Sequence, residues 1–213
     1  MNITREQLKL YAVTDRTWLG NETLYEQVEK ALKGGVTLVQ LREKELDEET
    51  FEKEGRELLE LCHRYHVPLI INDNVALAKK INADGVHIGQ SDMAMQHARE
   101  LLGADKIIGV TAKTVEQAKA AQVAGADYLG SGAVFGTSTK ADAKPMELAL
   151  FQKICESVEI PVVAIGGISG DNVLQLKGRK MAGIAVVSGI FACEDIEKGT
   201  AELLEKVNSI IEQ

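Results

Sequence analysis

Of 213 residues only three are proline, three cysteine and one tryptophan, and aromatic side chains make up 4% of the chain. With so little proline and no Pro/Ser-rich or low-complexity tract, no linker divides the chain. Residues 1–213 read as one domain, long enough to bury roughly 70 to 75% of the surface that the unfolded chain exposes. Cys62, Cys155 and Cys193 are far apart, odd in number and without a CxxC pair, which argues against a disulfide framework or a thiolate metal site. Free thiols of this kind suit a reducing compartment. Positive charge is also short: 24 Lys and Arg against 32 Asp and Glu leave a net charge of −8. Such an acidic surface argues against nucleic-acid and anionic-membrane partners. No apolar run approaches the roughly 18 residues of a membrane helix, and MNITREQLKL lacks the apolar stretch of a secretory signal. The expectation is a cytoplasmic protein.

What the chain has is alternation. Short apolar runs at Leu10–Thr14, Leu38–Leu41, Leu69–Asn72, Gly85–Ile88, Ile107–Thr111, Tyr128–Ser131, Val162–Ile165 and Ile184–Val187 read as strands buried on both faces. Helical periodicity fills the gaps. Phe51, Leu58, Leu59, Cys62 and Tyr65 form one stripe within 47–66, and Ile196, Leu203, Leu204, Val207 and Ile211 another within 195–211. Thr114 is placed to cap an Ala-rich helix running to Ala124. Shorter helices fit near Val75–Ile81 and Asn172–Leu176. Eight strand–helix units predict an α/β fold, a single (β/α)₈ TIM barrel. The runner-up, a doubly wound open sheet, more often carries a GxGxxG turn after its first strand, and none is present.

In such a barrel the chemistry lies where strands end. The second strand runs into Gln40-Leu41-Arg42-Glu43-Lys44, and period two places Gln40, Arg42 and Lys44 on the face turned to the mouth. Two cations there call for an anion, or else Arg42 and Lys44 pair with a carboxylate of a neighbouring strand. Asp73 and Asp92 follow the third and fourth strands; they suit a shared divalent ion such as Mg²⁺, or the caps of the helices that follow. The longest loop, about residues 132–146, holds Thr137, Ser138, Thr139 and Lys140, a set suited to clamp an oxyanion or equally to a solvated loop. Gly166, Gly167, Ser188 and Gly189 close the seventh and eighth strands, the usual phosphate site of this fold. His87 reads as a core or second-layer residue, and Trp18 as a mouth or exposed loop residue.

Taken in order, YAVTD (11–15), GGVTLVQLREK (34–44), PLIINDNVALA (68–78), ADGVHIGQSDM (83–93), IIGVTAKT (107–114), GADYLGSGAVFGTSTK (125–140), IPVVAIGGIS (160–169) and AGIAVVSGIF (182–191) resemble the thiamine-phosphate synthase family over nearly the whole chain. The resemblance implies a (β/α)₈ barrel that joins 4-amino-5-hydroxymethyl-2-methylpyrimidine diphosphate to a thiazole phosphate or its carboxylated form. Thiamine phosphate and diphosphate are then the products, with CO₂ from the carboxylated substrate. It further implies that Gln40, Arg42, Lys44, Asn72, Thr111 and Lys140 contact the pyrimidine diphosphate, with Arg42, Lys44 and Lys140 catalytic through their charge. By the same resemblance Asp73 and Asp92 hold Mg²⁺, and Thr137, Thr139, Gly167, Val187 and Ser188 bind the thiazole phosphate.

Three positions depart from the family pattern. Ser is common where Thr111 stands, His where Lys113 stands, and Pro where Gly136 stands. The first keeps its hydroxyl, the second alters charge near the diphosphate, and the third frees the backbone of the loop. Rival readings are the related thiazole tautomerase, which has no need of the diphosphate set, a sugar-phosphate epimerase, which needs opposed acid and base groups, and a non-catalytic ligand-binding barrel.

Overall fold

The computed structural model describes residues 2–89, 95–136 and 145–211. Eight parallel strands follow one another around a closed barrel in chain order: β1 (Leu10–Val13), β2 (Leu38–Leu41), β3 (Leu69–Asn72), β4 (Gly85–Ile88), β5 (Ile107–Thr111), β6 (Tyr128–Gly132), β7 (Val162–Ile165) and β8 (Gly183–Val186). Closure is made by β1 on β8, with Tyr11 opposite Ala185 and Ala12 opposite Val186. The fold is the (β/α)₈ barrel that the alternation predicts.

Four strand ends move by a residue, one in β1, one in β6 and both in β8. Thr14 leaves β1 because its hydroxyl turns back to accept from the Arg42 amide at 2.9 Å. β6 runs on to Gly132, paired with Ile165. β8 takes in Gly183 and releases Val187, whose carbonyl instead accepts from the amides of Ile190 and Phe191 and opens a helical turn.

Period two sorts the strand residues into two cores. Tyr11, Val13, Leu38, Ile70, Ile107, Tyr128, Val163 and Ala185 share the barrel interior. Their neighbours, among them Ala12, Val39, Leu41, Leu69, Ile71, Val86, Ile108, Leu129, Ala164 and Ile184, join the helices in the surrounding layer. Both faces are therefore apolar, which is why the strands read as unbroken hydrophobic runs. Each fully buried Val, Leu or Ile contributes about 1.5–3 kcal/mol.

The interior is filled rather than hollow. The rings of Tyr11 and Tyr128 meet edge to face with centroids 5.9 Å apart and planes at 75°. Gly109 makes this possible, because a Cβ there would lie 2.1 Å from Cζ of Tyr128.

Around the barrel stand α1 (Leu24–Lys33), α2 (Glu48–Arg64), α3 (Val75–Ile81), α4 (Met95–Leu102), α5 (Val115–Val123), α6 (Leu148–Ser157), α7 (Ser188–Phe191) and α8 (Ile196–Asn208). Thr114 caps α5 by accepting from the Gln117 amide, and Asp47 and Asp195 do the same for α2 and α8. A short 3₁₀ turn, Val173–Leu176, stands where a helix is expected after β7. The buried stripe of α2 is Phe51, Gly55, Leu58, Leu61 and Cys62, with Leu59 only half-buried. A Cβ on Gly55 would lie 2.9 Å from Cδ1 of Ile81, so the helix packs closely there, and Leu61 rather than Leu59 joins the stripe. In α8, Thr200 is buried and Leu204 half-buried. Among the described residues no helix is long and apolar enough to cross a membrane.

Candidate active site

At the C-terminal ends of the strands lies one cavity to which all eight strands or the loops after them contribute. Its two sides differ in chemistry. From β2 to β5 come Gln40, Arg42, Asn72, Asp73, His87, Thr111 and Lys113; from β7 and β8 come Ile165, Gly166, Gly167, Ala185, Val187 and Ser188.

On the first side, Gln40 is 4% exposed and its Nε2 donates to the Tyr11 hydroxyl at 2.5 Å. Arg42 is half-buried, with its guanidinium 3.7 Å from the carboxylate of Asp15 in the loop after β1. Arg42 thus pairs with a carboxylate next to the neighbouring strand and also lines the cavity. Lys44 is exposed and outside the lining, because β2 ends at Leu41 and its alternation does not reach residue 44. Glu43 instead turns outward to Arg16 at 3.0 Å, and burial raises its carboxyl above the ordinary glutamate value.

Asp73 is not the cap of α3. Asn74 holds that position, its Oδ1 accepting from the Leu77 amide at 2.9 Å. Asp73 takes a left-handed backbone (φ 60°) and accepts a 2.6 Å hydrogen bond from Nδ2 of Asn72. Asp73 is exposed and lines the mouth. Among the described residues no three side chains of His, Cys, Asp or Glu gather as a metal site.

His87, read as a core or second-layer residue, reaches the cavity wall and backs Thr111: Nδ1 lies 3.0 Å from the Tyr128 hydroxyl and Nε2 3.0 Å from Oγ1 of Thr111. Period two carries it inward, and Gly130 across the barrel leaves room for its ring. Lys113 adds an exposed cation at the rim. Trp18 lies elsewhere, in an outer groove with Phe191 and Cys193.

On the second side the backbone predominates. Gly166 and Gly167 have φ 101° and 66°, and a Cβ on Gly167 would meet the Gly136 carbonyl oxygen at 2.1 Å. Asn172, which sequence reasoning did not single out, fixes this loop: its Oδ1 accepts from the Ser169 amide at 2.9 Å and its Nδ2 donates to the Gly167 carbonyl at 2.8 Å. Only its place at the start of the turn after β7 hinted at such a role. Gly136 has φ 75°, a conformation closed to proline, so the chain here follows a path that a proline at this position could not take. Asp92, Thr137, Thr139 and Lys140 lie outside the described residues.

Comparison with known proteins agrees with this arrangement. The family model described as thiamine monophosphate synthase matches residues 10–190. A thiamine-phosphate synthase of Clostridium acetobutylicum is 51% identical over 189 residues, covering 89% of this chain and 90% of that protein. One from Fusobacterium nucleatum is 46% identical over 200 residues, covering 94% and 97% respectively. A solved structure of thiamine phosphate pyrophosphorylase from Pyrococcus furiosus superposes with a TM-score of 0.90 at 39% identity, covering 98% of this chain and 99% of that one. With its barrel closed and its polar and glycine-rich walls facing across one mouth, the chain belongs to the thiamine monophosphate synthase family of enzymes.

Proposed function

We infer that this chain joins 4-amino-5-hydroxymethyl-2-methylpyrimidine diphosphate to a thiazole phosphate, carboxylated or not, releasing diphosphate and leaving thiamine phosphate. The observation that carries this reading is the division of one cavity into a wall of charged and polar side chains and a wall of glycine backbone. A diphosphate leaving group carries about three negative charges, and its oxygen gains more as the C–O bond breaks, where fixed cations stabilise it most. Arg42 is held for this task by Asp15 and by the short span from β2, and Lys113 stands at the same rim. Lys140 and Lys44 complete the cationic set in this reading. Lys44 starts exposed and would have to swing in.

Asp73 fits a Mg²⁺ ligand, since capping falls to Asn74 and Asp73 lines the mouth. Asp92 would be its partner. Mg²⁺ held there would offset diphosphate charge while keeping most of its water shell. Gln40, Asn72 and Thr111 would orient the pyrimidine; Gly167, Val187, Ser188, Thr137 and Thr139 would hold the thiazole phosphate. The amino group of the pyrimidine feeds electrons toward the methylene, so the carbon left behind is carbenium-like. The thiazole nitrogen attacks it, and no protein nucleophile is required. Holding two substrates face to face contributes on the order of 7–11 kcal/mol to such a reaction. The work falls to residues 1–213 acting as one catalytic domain on small molecules, in the cytoplasm, with neither nucleic acid nor membrane as partner.

The tautomerase reading is weaker, because a proton shift on the thiazole alone gives Arg42, Asp73 and Lys113 nothing to bind. Diphosphate release from purified protein tests the proposal, with each substrate alone and then with both. Release that requires both substrates and Mg²⁺ is the expected result. Release from neither mixture overturns it.

A further inference from the structure

The ladder between β1 and β2 pairs Tyr11 with Leu38, Ala12 with Val39 and Val13 with Gln40, and both strands end within a residue of the last pair. The register does not end there. Asp15 Oδ2 lies 3.7 Å from Nη1 of Arg42, and Nε of Arg16 donates to Oε2 of Glu43 at 3.0 Å. Both pairs keep the 27-position offset of the ladder. Between ladder and pairs, the Thr14 amide donates to the Gln40 carbonyl at 2.9 Å, and the Thr14 hydroxyl accepts from the Arg42 amide at 2.9 Å. Beyond the strands, side chains take over the work of the backbone.

The two pairs have opposite polarity. Acid precedes base in Asp15-Arg16, and base precedes acid in Arg42-Glu43. A slip of one residue would set Arg16 against Arg42 or Asp15 against Glu43, like charge facing like, so charge alone specifies the alignment. The side chains of Asp15, Arg42 and Glu43 are 14%, 15% and 6% exposed, and solvent therefore screens them far less than an ordinary surface pair. Each loop residue is also braced from its own side. Asp15 Oδ1 accepts from the Thr17 amide at 2.9 Å and from the Thr17 hydroxyl at 2.5 Å, while Arg16 Nη2 donates to Glu54 of α2 at 2.5 Å. At 3.7 Å the Asp15 carboxylate attracts the guanidinium without hydrogen-bonding to it, so it steers Arg42 rather than capturing it.

We propose that Asp15 and Arg16 are positioning residues: the loop after β1 continues the β1–β2 register by charge and so fixes how the Arg42 guanidinium stands in the mouth. The inference rests on the function proposed above and gives a part in it to two described residues that do not line the cavity. A cation stabilises a departing oxygen only from the right place, and a misplacement of about 1 Å can cost on the order of 10²-fold in rate. An Arg42 released from Asp15 still carries its charge and still attracts a diphosphate. Binding and turnover should therefore part company.

Two measurements test this. Asp15→Asn keeps the acceptor for Thr17 and removes the charge opposite Arg42. It should lower kcat about tenfold, whereas inorganic diphosphate with Mg²⁺ should bind, by calorimetry, within about twofold of wild type or more tightly. Arg16→Met should act in the same direction by about three- to fivefold, the size of one ion pair, and Arg16→Lys, which restores a charge opposite Glu43, should recover most of that loss. The second measurement needs no substrate. ¹⁵N relaxation at Nε of Arg42, assigned with Arg42→Lys, should show an ordered guanidinium in wild type and a more mobile one in Asp15→Asn. Equal order with and without the Asp15 charge overturns the proposal, as does an Asp15→Asn enzyme with wild-type kcat. A loss of kcat matched by an equal loss of diphosphate affinity also overturns it, because the site itself is then damaged. Wild-type protein that never releases diphosphate would instead refute the proposed function, leaving the order of Arg42 to decide the positioning by itself.

Discussion

The two walls of the cavity solve binding in opposite ways. From β2 to β5 the work falls to side chains, Arg42, Asp73, His87 and Thr111, each oriented by a second side chain: Asp15, Asn72, Tyr128 and His87 in turn. From β7 to β8 the work falls to backbone, at Gly166, Gly167, Val187 and Ser188, oriented by Asn172 from behind. Side chains can be supplied with charge, which a breaking C–O bond needs. Backbone amides offer fixed donors at close range, which suits a phosphate that is only held. Under the proposed function, the difference teaches that the reacting end and the anchoring end of a site call for different chemistry from the same eight strands.

Substitutions can break this division or sharpen it. The largest effect is expected at Lys140, nominated for the leaving group: Lys140→Ala should lower kcat on the order of 10²-fold, the typical loss of one preorganised electrostatic group, with the thiazole phosphate bound nearly as before. Turnover within threefold of wild type would remove Lys140 from the charged wall. Next come two adjacent residues whose roles should separate cleanly. Asp73→Ala should raise the Mg²⁺ concentration needed for half-maximal rate roughly tenfold with little change in melting, as loss of one carboxylate ligand predicts. Asn74→Ala should cost about 1 kcal/mol of stability with the Mg²⁺ requirement unchanged, as loss of a helix cap predicts. Mg²⁺ titrations beside melting curves check the pair, and identical behaviour of the two variants would contradict the geometry.

On the other wall, Ser188→Ala should weaken thiazole phosphate binding by about three- to tenfold, one hydrogen bond to a charged group, and spare the pyrimidine diphosphate. Calorimetry with each substrate measures it, and equal losses would show that the cavity is not divided. Gly167→Ala is a poorer probe, because the added Cβ strikes the Gly136 carbonyl and displaces the loop whatever binds there. The smallest effect concerns thiols away from both walls. Burial pushes Cys62 and Cys155 up to about 12, whereas Cys193 is less buried. Mild alkylation followed by mass spectrometry should therefore label Cys193 first, with little loss of rate.

Much of this was legible in the residues themselves. Continuous apolar runs predict strands covered on both faces, and eight of them predict closure. Period two carries Gln40 and Arg42 to the cavity, but it stops with the strand, which is why Lys44 falls outside. Asp73 and Asn74 are both good capping residues, and only the backbone angle at 73 shows which of them caps. The meeting of the Tyr11 and Tyr128 hydroxyls at 2.9 Å was illegible for another reason. Tyr11 and Tyr128 are separated by 117 positions, and inward direction does not tell which inward residues touch across a barrel. The burial of Gly55 on α2 was likewise unread, because a periodicity of apolar side chains does not count a residue that has none.

The stoppered floor also governs traffic. The Tyr11 and Tyr128 rings pack edge to face in one cluster with Leu38, Ile70 and Ile107, so among the described residues the barrel interior below the cavity is filled. Whatever arrives must leave by the door it used. Two reactants and two products thus share a single doorway, and a molecule seated against the floor is trapped behind whatever sits above it. Arrival and departure become a queue, in which a heterocycle held as proposed at Gln40 and Thr111 is first in and, as part of the joined product, waits for the mouth to clear.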